Sequence, residues 1–462
     1  MHPIESALLN TISKHPEMPL VIAYSGGVDS QVLLHAIASL TKTSSSAQSI
    51  SNPVMVCHVN HGLSDNALSW QAFAEQSCLS LNLPLKICQV NVQSQAQKSL
   101  ESLARDARYQ ALRSIYQVPS LIITGHHSDD QAETFLLALK RGSGLKGLSA
   151  MGRESKQGKD LLLRPLLSIS RADIVDYANI NDLIWVEDES NADTRFDRNF
   201  IRNDIMPLLT KRWPSITSTI NRSSEHCREG QLLLDELAAD DLSVSLNDSK
   251  SLIVASLTLL SQKRFNNLIR YFLAQNKCLM PSTEQLAQLY QQLNAETDKN
   301  PVVKVGDNVI RRYKGILYLT ADFTDISDWH TDIVFNDSKT EVFLPDNLGK
   351  LHFFKTTFED ATQGSQRIIM PKNGQKVTVR FNHNNPNCLP DYRNHSRSVK
   401  KILQELDIPV WQRKRIPFLY YDDVLVVAIG YFVCQNYVPK ALTPNDTEFQ
   451  EDKSNLTIAW IS

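Results

Sequence analysis

The stretch from Val21 to Leu40 leaves this chain few folds to choose from. Val21-Ile22-Ala23-Tyr24 is a compact apolar run, long enough for a buried strand. From Gln31 to Leu40, apolar side chains fall at Val32, Leu33, Ala36, Ile37 and Leu40, which is helical spacing. Between them lies Ser25-Gly26-Gly27-Val28-Asp29-Ser30. This reads as strand, tight turn, helix. Gly26 and Gly27 can take positive φ and let a ligand approach the backbone. The N–H groups at the helix start, backed by the helix dipole, form an anion site. Ser25 and Ser30 add hydroxyl groups. Asp29 is out of place beside an anion unless a cation or a proton donor sits between them. The Walker pattern G-x-x-x-x-G-K-[ST] is absent.

The next segments repeat the alternation. Strands are expected at Val54–Val59, Leu85–Val92, Leu121–Thr124 and Leu161–Leu167. Helices are expected at Asp65–Leu81, Ser99–Tyr116, Ser128–Lys140 and Arg171–Leu183. Strands and helices in this order imply an α/β fold with a doubly wound parallel sheet. Ligands of such sheets bind at the carboxyl ends of the strands. The Ser25–Ser30 loop, His58–Ser64 and Gly125–Glu133 all fall there. Beyond residue 215 the pattern changes: residues 216–325 read as mainly helical, with hairpin-like alternation over Val302–Leu319, and residues 326–462 as a small α+β unit.

A chain of 462 residues is too long for one core, which agrees with this division. The net charge of -2 carries no global nucleic-acid signature, so any such binding uses local patches. The seven cysteines include no C-x-x-C pair, which argues against a zinc ribbon or a cysteine-held cluster and fits free thiols in a reducing compartment. No apolar run reaches membrane-spanning length, so a cytoplasmic protein is expected.

Several constellations carry chemistry. Gly125-His126-His127-Ser128-Asp129-Asp130-Gln131-Ala132-Glu133 opens a helix at a strand end. Asp130 and Glu133 share a helix face, where two carboxylates attract a metal ion or an ammonium group. A capping box of Ser128 and Gln131 explains Ser128 and one acid, but not both histidines. Arg105 and Arg108 lie on one helical face and can hold a phosphate or carboxylate; pairing of Glu101 with Arg105 is the plainer alternative. Arg195, Arg198 and Arg202 form a further basic cluster, a contact for ATP or RNA or a solvated face. Arg397, Lys400 and Lys401, followed by Arg413-Lys414-Arg415, form a third that can meet phosphates.

Ser25–Ser30 resembles the SGGxDS loop of the N-type ATP pyrophosphatases. Taken with HVNHGLS, LARDARY, GHHSDDQAETFLLALKRGSG, RPLL and DESNADTRFDRNFIR in that order, the chain resembles the tRNA(Ile)-lysidine synthetase family. RSVKKILQELDIPVWQRKRIP looks like the family's C-terminal domain. The resemblance implies a HUP-like ATP-pyrophosphatase domain over 1–215, a substrate-binding domain over 216–325 and a tRNA-binding domain over 326–462. It implies that ATP and Mg²⁺ activate C2 of the wobble cytidine of a CAU-anticodon tRNA(Ile) as an adenylate. Free L-lysine then displaces AMP.

By motif position, Ser25, Gly26, Gly27, Val28, Asp29 and Ser30 hold the phosphates, with Asp29 toward Mg²⁺. His58, His61, Gly125 and His126 lie about the nucleotide. Asp130 and Glu133, with Arg105, take the lysine, and Asp29 joins these three in catalysis. Arg198, Arg202, Arg397, Lys400, Lys401, Arg413 and Arg415 face tRNA. Oligomeric state is left open, a homodimer included. The rival within the fold is a tRNA sulfur transferase, which would call for paired cysteines.

Overall fold

The computed structural model describes residues 1–42, 49–62, 66–91, 100–294, 302–335, 339–356, 364–439 and 455–461. The chain divides into two compact units, Met1–Leu237 and Ala238–Ser462.

The first unit runs α1 (Pro3–Ile12), β1 (Leu20–Tyr24), α2 (Val28–Lys42), β2 (Val54–Asn60), α3 (Ala67–Leu81), β3 (Leu85–Gln89), α4 (Leu100–Arg113), β4 (Leu121–Ile123) and α5 (Ser128–Lys140). It continues with α6 (Leu145–Leu148), β5 (Glu154–Gln157), β6 (Asp160–Leu163), α7 (Arg171–Ile180), α8 (Asp197–Phe200), α9 (Met206–Arg212) and the long α10 (Ile216–Ser245), inside which the unit boundary falls. The sheet order is β3-β2-β1-β4-β6-β5. All neighbours pair in parallel except β5 with β6.

Alternation along β1 covers both faces of this sheet. Leu20 and Ile22 enter the core with Ile4, Leu33, Ile37 and Ile174 from α1, α2 and α7. Val21 enters the opposite core with Leu112 of α4 and Ile122. Full burial of a side chain such as Ile22 contributes roughly 1.5–3 kcal/mol. The chain leaves β1 toward β2 on one side and reaches β4 on the other. The strand order therefore reverses between β1 and β4, and a crevice opens beyond their carboxyl ends.

Two expected elements differ. The strand expected over Leu161–Leu167 stops at Leu163, and Pro165–Ser168 forms a 3₁₀ turn. Pro165 has no N–H to continue the ladder. β5, sequence ESKQ, carries no apolar alternation because it is an exposed antiparallel edge joined to β6 through Gly158, whose φ is +68°.

In the second unit, helices Gln262–Gln275 and Thr283–Gln292 pack Phe265, Leu268, Ile269 and Leu286 against an antiparallel sheet. Its strand order is Leu252–Ile253, Ile316–Ala321, Asn308–Tyr313, Val302–Val305. The alternation over Val302–Leu319 is thus three strands, turning at Gly306 and Lys314-Gly315. Among the described residues the C-terminal part holds antiparallel sheets of five, four and two strands and the helix Val399–Glu405.

Candidate active site

Helix α2 starts at Val28, inside the Ser25–Ser30 motif. By helix geometry the first N–H groups, those of Val28, Asp29 and Ser30, have no acceptor within α2. The buried Ser30 hydroxyl shapes the turn before them. Its Oγ accepts from the amides of Ser25 (3.2 Å) and Gly26 (3.1 Å) and donates to the Gly27 carbonyl (2.9 Å). Of the two glycines only Gly26 uses positive φ, at +89°. Its carbonyl accepts from the Val186 amide at 3.0 Å, which ties the segment after α7 to the loop. Across the crevice, a Cβ on Gly125 would sit 3.0 Å from the Asp29 carbonyl oxygen. Glycine is required there because the end of β4 passes directly against the start of α2.

Helix α5 is capped one residue earlier than the Ser128–Gln131 box would place it. His127 is the N-cap: its Nδ1 accepts from the Asp129 amide (3.3 Å), and Asp130 accepts from the His127 amide (3.1 Å). Gln131 instead bonds both ways to the Met151 backbone, at 2.8 and 2.9 Å.

Asp130 and Glu133 do share a face, and both are buried, at 6% and 2% exposure. They are not open. The Arg198 guanidinium bonds Glu133 Oε2 (2.9 Å) and Asp130 Oδ1 (2.8 Å). Arg202 bonds Glu133 Oε1 (2.6 Å) and Oε2 (2.9 Å) and Asp130 Oδ1 (3.0 Å). Arg198 lies on α8, and Arg202 on the π-helical turn Ile201–Ile205 that follows it. Arg198 and Arg202, expected to meet tRNA, here pair with carboxylates inside the site, because a buried acid pair requires cationic partners.

His127 sits among three acids. Its Nε2 lies 3.4 Å from Asp130 Oδ2 and 3.6 Å from Asp29 Oδ1, and its Nδ1 lies 3.6 Å from Asp129 Oδ2. Burial opposes its charge, but the hydrogen bond with Asp129 and the fields of Asp130 and Asp29 prevail and raise its pKa. Burial would likewise raise Asp130, yet His127, Arg198 and His126 hold it below the usual carboxylate range. For Asp29 burial wins over His127 and Arg171, and its pKa rises. His126, whose Nδ1 is 2.8 Å from the Thr124 hydroxyl, is pushed down to about 3, by burial first and by Arg164, Arg198 and Arg105 against the opposing field of Asp130. His58 is buried with Nδ1 3.2 Å from the Tyr24 carbonyl. His61, 3.4 Å from Arg108 Nε, is lowered to about 4 by burial and that cation. Leu63 and Ser64 of the same motif lie outside the described residues, as does the side chain of Glu101.

The structure thus brings together the Ser25–Ser30 loop, Gly125, His126, Asp130, Glu133, Arg198 and Arg202. Arg105 lies beyond His126, in a cleft with Tyr109, Arg113 and Arg164. In the second unit, Arg397 pairs with Glu405 (2.7 Å), and Arg413 bonds the Ile408 carbonyl (2.7 Å) and the Tyr313 hydroxyl (3.0 Å). Arg415 is 9% exposed, paired with Asp346 and stacked on Phe323 at 4.2 Å. Expected to meet tRNA, it is here turned inward onto Asp346. Lys400 and Lys401 are exposed. Sequence reasoning gave no site role to Arg164 or Arg171, although RPLL contains Arg164, and it singled out His127 within Gly125–Glu133 without placing it in the site.

The PP-loop domain family matches residues 1–209, the TilS substrate binding domain family residues 252–318, and the TilS substrate C-terminal domain family residues 377–458. The tRNA(Ile)-lysidine synthase of Vibrio vulnificus (strain CMCP6) is 39% identical over 420 residues, 91% of this chain and 93% of the relative. That of Serratia proteamaculans (strain 568) is 40% identical over 417 residues, covering 90% and 92%. That of Coxiella burnetii (strain RSA 493 / Nine Mile phase I) is 38% identical over 420 residues, covering 91% and 90%. This chain belongs to the tRNA(Ile)-lysidine synthase family.

The lysidine synthase PP-loop implies ATP as a substrate. The residues present also fit a divalent cation. Asp29 Oδ1 and His127 Nε2 are buried, face each other at 3.6 Å, and have no hydrogen-bond partner among the described residues. One unpartnered carboxylate oxygen beside a phosphate loop suits Mg²⁺, which takes one or two carboxylates and completes its shell with phosphate and water. Among the described residues no group of three or more His, Cys, Asp or Glu could hold a metal ion without such help.

Proposed function

We propose that this chain joins L-lysine to C2 of the wobble cytidine of a CAU-anticodon tRNA(Ile), using ATP. The observation that carries the reading is the buried Asp130–Glu133 pair, which adjoins the phosphate loop and holds organic cations. A lysine ammonium is a cation of the same kind. The rival reading, sulfur transfer, would ask for reactive cysteines, and no cysteine among the described residues belongs to the charged cluster around Asp130.

In this reading the N–H groups at the start of α2 receive the ATP phosphates, with Ser25 beside them. Mg²⁺, held at Asp29, neutralises phosphate charge when bound. His58, His61, Gly125 and His126 border the nucleotide. The cytidine O2 attacks the α-phosphorus; the new O–P bond forms as the bond to pyrophosphate breaks. Charge then gathers on the leaving phosphates, where Arg171 supplies positive charge and His127, its pKa raised, can add to it. The lysine amine next attacks C2, AMP leaves with O2, and the amine's proton passes to a nearby base. Asp130 and Glu133 hold the incoming ammonium, and Arg198 and Arg202 turn from the acids toward phosphate to admit it.

Mass analysis of the wobble cytidine after incubation with ATP, lysine and transcript tRNA tests the activity; an unmodified base refutes it. Asp130→Asn tests the site. Lysine affinity is expected to fall roughly thirtyfold to a thousandfold, on the order of 2–4 kcal/mol, with ATP affinity far less affected. The reverse pattern would make the carboxylate a metal ligand.

A further inference from the structure

Strands β2 and β3 pair in parallel, with Cys57 opposite Lys86 and Val59 opposite Cys88. Register partners share a face of a sheet, and so do residues two apart on one strand. Cys57, Val59 and Cys88 therefore all enter the core that holds Leu112 and Ile122. There Cys57 Sγ and Cys88 Sγ lie 3.7 Å apart. The two thiols are not equivalent. Cys57 is 1% exposed, whereas Cys88 is half-buried on the edge strand. Burial first, and then the neighbouring Cys88, push the Cys57 thiol above its ordinary range.

An accessible thiol with a second one behind it is the arrangement of a redox-sensitive pair, in which one sulfur is attacked and the other resolves. In the other unit Cys388 and Cys434 also touch, but both are buried, so neither is open to an oxidant in solvent. The β2–β3 pair is also close to working parts. His58 follows Cys57 directly, and its Nδ1 is 3.2 Å from the carbonyl of Tyr24, the residue before the Ser25–Ser30 loop. A disulfide holds its sulfurs at about 2.0 Å, so closure draws the two sulfurs together by more than an ångström. Part of that movement falls on β2, which carries His58.

We propose that Cys57 and Cys88 form a reversible disulfide site, oxidised by hydrogen peroxide, whose closure weakens ATP binding at the adjoining loop. The effect on ATP rests on the proposed placing of His58 beside the nucleotide. In the first step the Cys88 sulfur attacks a peroxide oxygen. An S–O bond forms, the O–O bond breaks, and the Cys88 proton leaves with the departing oxygen as water. The Cys57 sulfur then attacks the Cys88 sulfur. The S–S bond forms, the S–O bond breaks, and the Cys57 proton leaves with the hydroxide as a second water. Two thiols thereby give two electrons to one peroxide. Exchange with a small thiol reverses the bond, the small thiol being oxidised to its own disulfide.

The test treats the full chain with hydrogen peroxide, alkylates it, maps its peptides by mass spectrometry and measures ATP binding in parallel. The expected product is a peptide pair joined through Cys57 and Cys88, with two free thiols lost and ATP affinity down roughly fivefold or more, the lower end of typical coupling between sites. Dithiothreitol should restore both. Cys88→Ser, at the half-buried position, should keep its ATP affinity before and after peroxide. Cys57→Ala should stop at the Cys88 sulfenic acid, which dimedone captures. Free sulfurs at both positions after peroxide, a sulfinic acid at Cys88 without the bond, or a Cys388–Cys434 bond in its place would overturn the site. The bond with unaltered ATP affinity, or an equal loss of affinity in Cys88→Ser, would overturn the coupling through His58. No readout involves tRNA, so a failure to modify cytidine would refute the proposed function and not this site.

Discussion

Two basic clusters, Arg198 with Arg202 in the first unit and Arg397 with Lys400 and Lys401 in the other, share one sequence pattern: cations at short helical spacing. The fold treats them differently. Arg198 and Arg202 converge on two buried acids 65 to 72 residues away along the chain. Arg397 shares the exposed Glu405 with Arg393, and Lys400 and Lys401 project from the solvent side of the helix Val399–Glu405. A basic cluster thus acquires its meaning from what the topology sets opposite it. In low dielectric the charges must be matched; on the surface water does most of the work.

The sharpest way to break this contrast is to remove one acid from each region. Glu133→Gln leaves two guanidiniums short of a counter-charge in a site where Glu133 is 2% exposed. We expect a loss of about 3 kcal/mol in stability, seen as a lower urea midpoint at unchanged m. Glu405→Gln removes the shared partner of Arg393 and Arg397, and should cost less than about 1 kcal/mol. Equal losses would mean that burial does not distinguish the two regions.

The parts of this architecture legible in the sequence were those written in local periodicity. Val21–Tyr24, the helix after it and Ser128–Lys140 follow from spacing alone, and glycines and acids at strand ends marked the crevice. What escaped was set by partners, one local and the rest distant. The cap of α5 is His127 and not Ser128 because the Asp130 carboxylate turns back to the His127 amide. The occupancy of Asp130 and Glu133 by arginines depends on a π-helical turn at Ile201–Ile205 that no local pattern announces. The need for Gly125 comes from the Asp29 carbonyl, which belongs to another strand's connection. Strand β5 escaped because both its faces are polar.

The two regions should also differ in acid. His126 is neutral in the folded state down to about pH 3, against 6.5 for an ordinary histidine. As pH falls below 6.5 the unfolded chain takes the proton first, so the stability that neutral His126 contributes is full above pH 6.5 and lost between 6.5 and 3. The urea midpoint of the wild-type chain should therefore fall more steeply between about pH 6.5 and 4 than that of His126→Gln. Asp129 is held below the usual carboxylate range by contacts that do not involve His126 and acts in both proteins alike, whereas Asp130 loses the His126 contribution in the variant. Parallel curves would show that His126 is hydrated, and that the first unit is less sealed than its contacts imply.

The smallest effects belong to Lys400 and Lys401, and they are informative because they are small. Replacing either by Ala removes a charge from an exposed helix face and should leave stability within about 0.5 kcal/mol. Arg415→Ala, only fifteen residues beyond Lys400, removes a buried partner of Asp346 and the cation over Phe323, and should cost about 2 kcal/mol. The order reverses in RNA binding. A lysine that meets a phosphate lowers the salt slope by up to about 0.9 on duplex, nearer 0.7 on single strands, when it is removed. Arg415→Ala should leave that slope alone as long as the unit stays folded, because its guanidinium is turned inward. A slope that shifts with Arg415 but not with Lys400 or Lys401 would invert the assignment: the buried arginine would then open to meet RNA, and the exposed lysines would be a solvated face.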